Sequence, residues 1–292
     1  MAWSKNLDWS VFYSIPNGLR DCYLAKLGLE IEPPTKDYLD RLVRAHLCKI
    51  PFENLASTIW NESVSIKPQR IMEKLLYKKR GGYCFELNGL FHLLLRTLEF
   101  DAWMCPCRQL RHHEPVPVPA THCAIIVNLD GKRLFCDVGY GGPIPHGSIE
   151  WEAERIQAID NQSFYFKEQP SGWFSLIKKG KEDLPLLEAA RLNCHLSDFY
   201  GPNVLRSTGD SAYSELHVSR LTSDGYVDLT GNRLVIKQGS LHQEKIIEEK
   251  NWVAFYANTL ALRDSCQGII FYCYKTVFWT LGEPIAVQKE GK

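Results

Sequence analysis

Arg80-Gly81-Gly82-Tyr83-Cys84-Phe85-Glu86-Leu87-Asn88-Gly89-Leu90-Phe91 combines a glycine pair, one cysteine and an apolar run with helical spacing. These residues predict a tight turn that delivers Cys84 to the start of a helix running to about Glu99. The first N–H groups of a helix have no partner within it, and the macrodipole adds partial positive charge there. Such a position favours a thiolate, the nucleophilic form of cysteine. Cys84 is therefore a candidate nucleophile on local grounds alone.

Upstream the pattern is helical. Thr35-Lys36-Asp37-Tyr38-Leu39-Asp40-Arg41-Leu42 opens with a capping threonine and carries apolar residues at helical spacing, and Pro51 ends that run. Residues 69–78 predict a second, short amphipathic helix. Downstream the period changes to that of strands. Residues 102–108, 122–130, 132–138 and 174–179 are short β-rich segments, and Asp130-Gly131 joins the second to the third as a two-residue hairpin turn. Asp224-Gly225 marks a second hairpin between 217–221 and 226–229, and 252–260 reads as helix. The Pro-rich run 114–119 reads as a loop. Helices first and strands afterwards imply an α+β protein rather than a doubly wound sheet.

Composition narrows the function classes. With 34 basic and 34 acidic residues among 292, nothing favours a polyanionic partner, so no nucleic acid is expected. No apolar run reaches the length of a membrane span, and the first residues lack the h-region of a signal peptide. Ten cysteines in that setting read as reduced thiols of a cytoplasmic protein. Cys105-Pro106-Cys107, near His112 and His113, lacks the C-x-x-C spacing and a second matching pair, so no metal is expected.

A cysteine nucleophile needs a base and a group to orient that base. If Leu129 pairs with Lys132 across the turn, His122 and Asp137 fall at the same end of the hairpin as diagonal neighbours. Taken singly, each residue type is more often structural: a strand histidine in the core, an aspartate capping a turn. Together with Cys84 they form a candidate triad in which His122 takes the thiol proton and Asp137 fixes the imidazole.

These blocks closely resemble the arylamine N-acetyltransferase family. The likeness lies in Arg80-Gly81-Gly82-Tyr83-Cys84-Phe85-Glu86-Leu87-Asn88, Thr121-His122 before an apolar strand, Asp137-Val138-Gly139-Tyr140-Gly141 and Pro51-Phe52-Glu53-Asn54-Leu55. The resemblance implies an N-terminal helical bundle (1–99), a central β-barrel (100–210) and a C-terminal α/β lid (211–292) around a cysteine-protease-like Cys-His-Asp core. It implies ping-pong transfer from acetyl-CoA, as co-substrate, through acetyl-Cys84 to an aromatic amine or hydrazine. It also implies that Thr121, Gly139, Tyr140 and Gly141 line the substrate and CoA cleft, and that Arg80 and Glu53 pair to brace the catalytic helix. Alternatives are another acyl-CoA donor, an amide synthase, or a thiol hydrolase or transglutaminase-like enzyme. The 112–119 loop and the aromatic segment 265–274 are not family hallmarks.

Overall fold

The computed structural model describes residues 9–111, 114–115, 120–208, 215–248 and 251–255. Helices occupy Leu19–Leu27, Lys36–Lys49 and Cys84–Thr97, with shorter turns between them. Thr35 caps the second, its side chain accepting from the Tyr38 N–H at 3.2 Å. The Cys84–Thr97 helix is the centre of the molecule. Every residue from Cys84 to Leu95 is buried, as expected for a helix that is apolar nearly all round. The predicted helix over 69–78 is split. Pro68–Met72 is α-helical and Glu73–Tyr77 widens into a π turn, closed by the Lys78 N–H on the Glu73 carbonyl. The wider turn accompanies Lys74 lying within reach of both Glu53 and Glu86.

Eight antiparallel strands follow, in the spatial order Ile149–Glu150, Lys132–Cys136, His122–Leu129, Asp101–Arg111, Leu184–Ala189, Phe174–Lys179, Gln162–Glu168, Gln157–Ile159. Glu114–Pro115, inside the predicted loop, adds a short strand against Asp101–Arg111, while 116–119, like His112 and His113, lies outside the described residues. The two ends of the sheet curl together into a nearly closed barrel. Ala153 bridges to Phe166, and the Gln157 amide accepts from the Glu150 N–H at 2.7 Å and donates to its carbonyl at 2.8 Å. Aromatic side chains fill the interior, with Trp151 stacked on Phe166 at 4.9 Å.

The predicted hairpin is present in its predicted register, Leu129 opposite Lys132 and Ile125 opposite Cys136. Asp130 and Gly131 have φ of 49° and 73°, the conformation that a tight primed turn demands. The strand His122–Leu129 is buried on both faces. Ala124 and Ile126 enter the barrel, whereas Cys123, Ile125 and Val127 pack with the Cys84–Thr97 helix. Alternation thus puts His122 on the barrel side and Cys123 on the helix side.

A second sheet runs Phe52–Glu53, His217–Leu221, Gly225–Thr230, Arg233–Gln238, Leu241–Ile246. The hairpin expected at Asp224-Gly225 is there, but Leu221 pairs with Tyr226 and the Thr222 N–H reaches the Gly225 carbonyl, so the loop is longer than two residues. Phe52–Glu53 also bridges in parallel to Gly82, so one two-residue strand ties the second sheet to the loop before Cys84. Of the expected helix over 252–260, Trp252–Phe255 is described; the remainder and 265–274 lie outside the described residues. Among the described residues no helix is long and apolar enough to cross a membrane.

Two core histidines set an acid limit on stability. His46 takes the Tyr23 hydroxyl at 2.7 Å and His92 meets the Ala102 carbonyl at 3.1 Å; burial lowers them to about 3 and about 4. A histidine depressed in the fold binds more protons when unfolded, so its contribution is complete above the unfolded value near 6.5 and declines as pH falls. The loss runs from about pH 6.5 toward 4, with up to about 1.4 kcal/mol per pH unit for each histidine. Urea unfolding should therefore show a lower midpoint at pH 5 than at pH 7. An unchanged midpoint would mean that the two rings are not buried neutral.

Candidate active site

Cys84 is the first residue of its helix and is 1% exposed. Two close backbone approaches put it there. The loop Arg80-Gly81-Gly82 runs so tightly over Pro51 that a Cβ at Gly81 would lie 2.2 Å from the Pro51 carbonyl oxygen. On the other side, a Cβ at Gly139 would come within 2.8 Å of the Cys84 Cα and 2.7 Å of the Asn88 amide nitrogen. Only glycine lets these segments meet.

The turn that carries Gly139 also carries Asp137. His122 Nε2–H donates to Asp137 Oδ2 at 2.5 Å, and both side chains are fully buried. Asp137 Oδ1 accepts from the Gly139 N–H and from the Asn88 side chain, each at 2.8 Å. Asn88 also donates to the Cys123 carbonyl at 2.8 Å and accepts from the Val138 N–H at 2.9 Å. One amide thus fastens the helix, the histidine strand and the aspartate turn together. Asn88 stands four residues after Cys84 on the same helical face, a spacing that could have exposed its role in the sequence.

Electrostatics follow from this burial. Loss of water pulls the His122 pKa down, but the Asp137 charge and hydrogen bond, aided by a hydrogen bond with Cys84, outweigh it and raise it to about 10. Nδ1, the nitrogen turned away from Asp137, is buried and is the ring atom left to face Cys84. The ring therefore holds a proton firmly beside the Cys84 sulfur. The neighbouring thiols behave oppositely. Burial pushes Cys107, Cys123 and Cys136 well up, which keeps them protonated, and Cys123 donates its S–H to the Cys84 carbonyl at 3.6 Å.

The other residues singled out in the sequence fall around this centre. Thr121 is 2% exposed and its hydroxyl accepts from the Gln109 N–H at 2.8 Å. The Tyr140 ring stands edge-on to His122 at 5.6 Å, and its hydroxyl donates to the Leu186 carbonyl at 2.7 Å. The Gly141 carbonyl accepts from the Ser219 hydroxyl at 2.8 Å. Arg80 Nη2 donates to Glu53 Oε1 at 2.7 Å, and the guanidinium stacks over Trp60 at 4.3 Å. The pair belongs to a larger buried network. Lys74 stands 3.5 Å from Glu53 and donates to both Glu86 oxygens at 2.9 and 2.8 Å, and Glu86 accepts from the Tyr83 N–H at 3.2 Å to cap the Cys84 helix. Glu86 was readable as an N3 acid, whereas nothing local to Lys74 announced its partners. Cys105 and Cys107 are buried with their sulfurs 4.0 Å apart, and among the described residues no group of three or more His, Cys, Asp or Glu could hold a metal.

The family model described as N-acetyltransferase matches residues 35–265. The arylamine N-acetyltransferase / N-hydroxyarylamine O-acetyltransferase of Salmonella typhimurium is 36% identical over 140 residues, 48% of this chain and 50% of that one. The arylamine N-acetyltransferase of Escherichia coli is 33% identical over 137 residues, 47% and 48%. The chain thus matches about half the length of these relatives. Proansamycin X synthase of Amycolatopsis mediterranei is 29% identical over 163 residues, 55% and 62%. Among solved structures, the Mycobacterium smegmatis N-arylamine acetyltransferase superposes with a TM-score of 0.76 at 25% identity, covering 83% of this chain and 92% of its own.

Proposed function

Because the chain belongs to the arylamine N-acetyltransferase family, we propose that it transfers acetyl groups from acetyl-CoA to aromatic amines and hydrazines through acetyl-Cys84. What carries the proposal is the buried His122–Asp137 bond of 2.5 Å beside a cysteine at a helix N-terminus. His122 takes the Cys84 proton, and the resulting thiolate attacks the thioester carbonyl. The tetrahedral oxyanion forms near the helix start, where backbone dipoles stabilise negative charge. CoA leaves as its thiol, with His122 returning the proton. The amine then attacks acetyl-Cys84 and loses its proton to His122, so the enzyme regains its starting state. Asp137, pinned by Asn88 and the Gly139 N–H, holds the imidazole in one orientation throughout. Burial of all three side chains disfavours water as the second nucleophile. The division at 1–99, 100–210 and 211–292 and a cytoplasmic location belong to the same proposal.

Intact-mass measurement after mixing with acetyl-CoA should show one acetyl adduct, located on Cys84, that an aromatic amine discharges. No adduct, or one that water clears as fast as the amine does, rules out the transferase. A second reading, amide synthesis within one chain-like substrate, is favoured by the likeness to Proansamycin X synthase. It would show as an acyl-enzyme that simple arylamines leave intact.

A further inference from the structure

Two anions draw on one helix start. The partial positive charge that favours a Cys84 thiolate at the first position also attracts the Glu86 carboxylate at the third, whose Oε2 accepts from the Tyr83 N–H at 3.2 Å. Tyr83 is bonded directly to Cys84, so this carboxylate holds the residue that delivers the sulfur. It lies folded back on the preceding loop, where a Cβ on Gly82 would come within 2.9 Å of the same oxygen. The Glu86 side chain is 2% exposed. Like charges in so dry a turn disfavour each other.

Lys74 offsets them. Its Nζ donates to both Glu86 oxygens at 2.9 and 2.8 Å and stands 3.5 Å from Glu53, which Arg80 holds from the other side at 2.7 Å. Lys74 reaches this place from the π turn Glu73–Tyr77, and its carbonyl accepts from the Arg80 N–H at 3.1 Å. The turn is thereby fastened to the loop before Cys84. Such wide turns are rare and recur at functional sites. Glu86 is faced by Lys74 and Glu53, with Arg80 behind Glu53, while the Tyr83 hydroxyl turns away to Asn203. Cys84 is faced by His122, with Asp137 behind it, and by the Cys123 thiol. Burial pushes the Glu86 carboxyl up, Lys74 pulls it back, and Glu53 pushes it up again. Lys74 and Arg80 thus balance Glu53 and Glu86 beneath the first turn.

Resting on the nucleophile assignment above, we infer that Lys74 is a positioning residue for the reaction: acting through Glu86, it balances the carboxylate that caps the catalytic helix, so that the same turn can hold Cys84 as a thiolate.

The test follows iodoacetamide alkylation of Cys84 against pH in the full chain. Mass analysis of the Cys84 peptide keeps the half-buried Cys22, Cys48 and Cys194 out of the reading. The net charge of the four side chains orders the variants. Lys74→Met leaves one negative charge in excess and should raise the midpoint of the profile by about one pH unit, the lower end of a neighbouring charge's effect. Glu86→Gln leaves one positive charge in excess and should lower the midpoint. The two changes together restore the balance and should return it to the native value, with the glutamine still accepting from the Tyr83 N–H. Lys74→Arg, which keeps the charge, should stay near native. A merely structural role would reduce the folded fraction, and so the amplitude, without moving a midpoint. If Lys74→Met does not fold, Glu86→Gln against the double variant poses the same question. A Lys74→Met midpoint at or below the native one, or equal midpoints in Glu86→Gln and the double variant, would overturn the inference. A native Cys84 that resists alkylation at neutral pH sinks the nucleophile assignment first, and a reactive Cys84 with unordered variants sinks this inference alone.

Discussion

Replacing Cys84 with alanine should abolish acetyl transfer and leave the fold in place. Loss of the nucleophile in a triad enzyme costs on the order of 10^6-fold in turnover. Cys84→Ala removes only a sulfur from the first position of a helix whose capping, through Glu86 and the Tyr83 N–H, does not use that sulfur. The backbone contact with Gly139 is to Cα and carbonyl atoms, which alanine keeps. Far-ultraviolet circular dichroism and the thermal midpoint should therefore change little while the acetyl adduct disappears. If the Cys84→Ala protein still acetylated an aromatic amine, the nucleophile would lie elsewhere. Buried Cys123, held as a thiol, would be the first alternative to map.

Asp137→Asn should be nearly as damaging, by a different route. An amide can donate as well as accept, so it no longer dictates which His122 nitrogen carries the proton; the equivalent change in a serine protease triad costs about 10^4-fold. Here the electrostatic loss adds to the tautomer problem. Burial lowers the His122 pKa and Asp137 raises it to about 10, so removing the carboxylate lets burial prevail. The sign for pH follows. In the native protein the imidazolium persists up to about pH 10, whereas in Asp137→Asn it survives only on the acid side of neutrality. Alkylation of Cys84 by iodoacetamide, followed against pH, reads this without any acceptor: Asp137→Asn should lose the neutral-pH reaction expected of the native protein. Matching profiles in the two proteins would remove Asp137 as the orienting group.

The parts of the fold legible in the sequence were those written locally. Thr35 and Pro51 bracket one helix, the Asp130-Gly131 dipeptide specifies both turn and register, and the register alone sets His122 and Asp137 at one end of the hairpin. The strands of the second half of the barrel were less legible. Gln157–Ile159 and Gln162–Glu168 join through Asp160-Asn161, with Asp160 at φ 53°, yet their Gln, Ser, Lys and Glu residues blur the alternation. Leu241–Ile246 is an edge strand whose mostly polar residues carry little strand signal. At the site, Cys84, His122, Asp137 and the Arg80–Glu53 pair were visible as motif. Lys74 was not, because Glu53 reaches it by a chain crossing that no short window contains, and Asn88 showed only its helical spacing to Cys84, not its partners Asp137 and Cys123.

The two-residue strand Phe52–Glu53 has a consequence for the order in which the molecule is put together. Its backbone touches Gly82 on one side and Val218–Ser219 on the other, while the Glu53 side chain enters the charge network beneath the Cys84 helix. The loop that aims the sulfur is therefore clamped by a segment synthesised much later. A ribosome-bound chain that has emerged only through the barrel would hold all three triad residues with one edge of that clamp unfilled. Contacts of such long sequence separation form late and slowly. The geometry of the loop before Cys84 is in this sense completed last, when the second sheet docks on Phe52–Glu53.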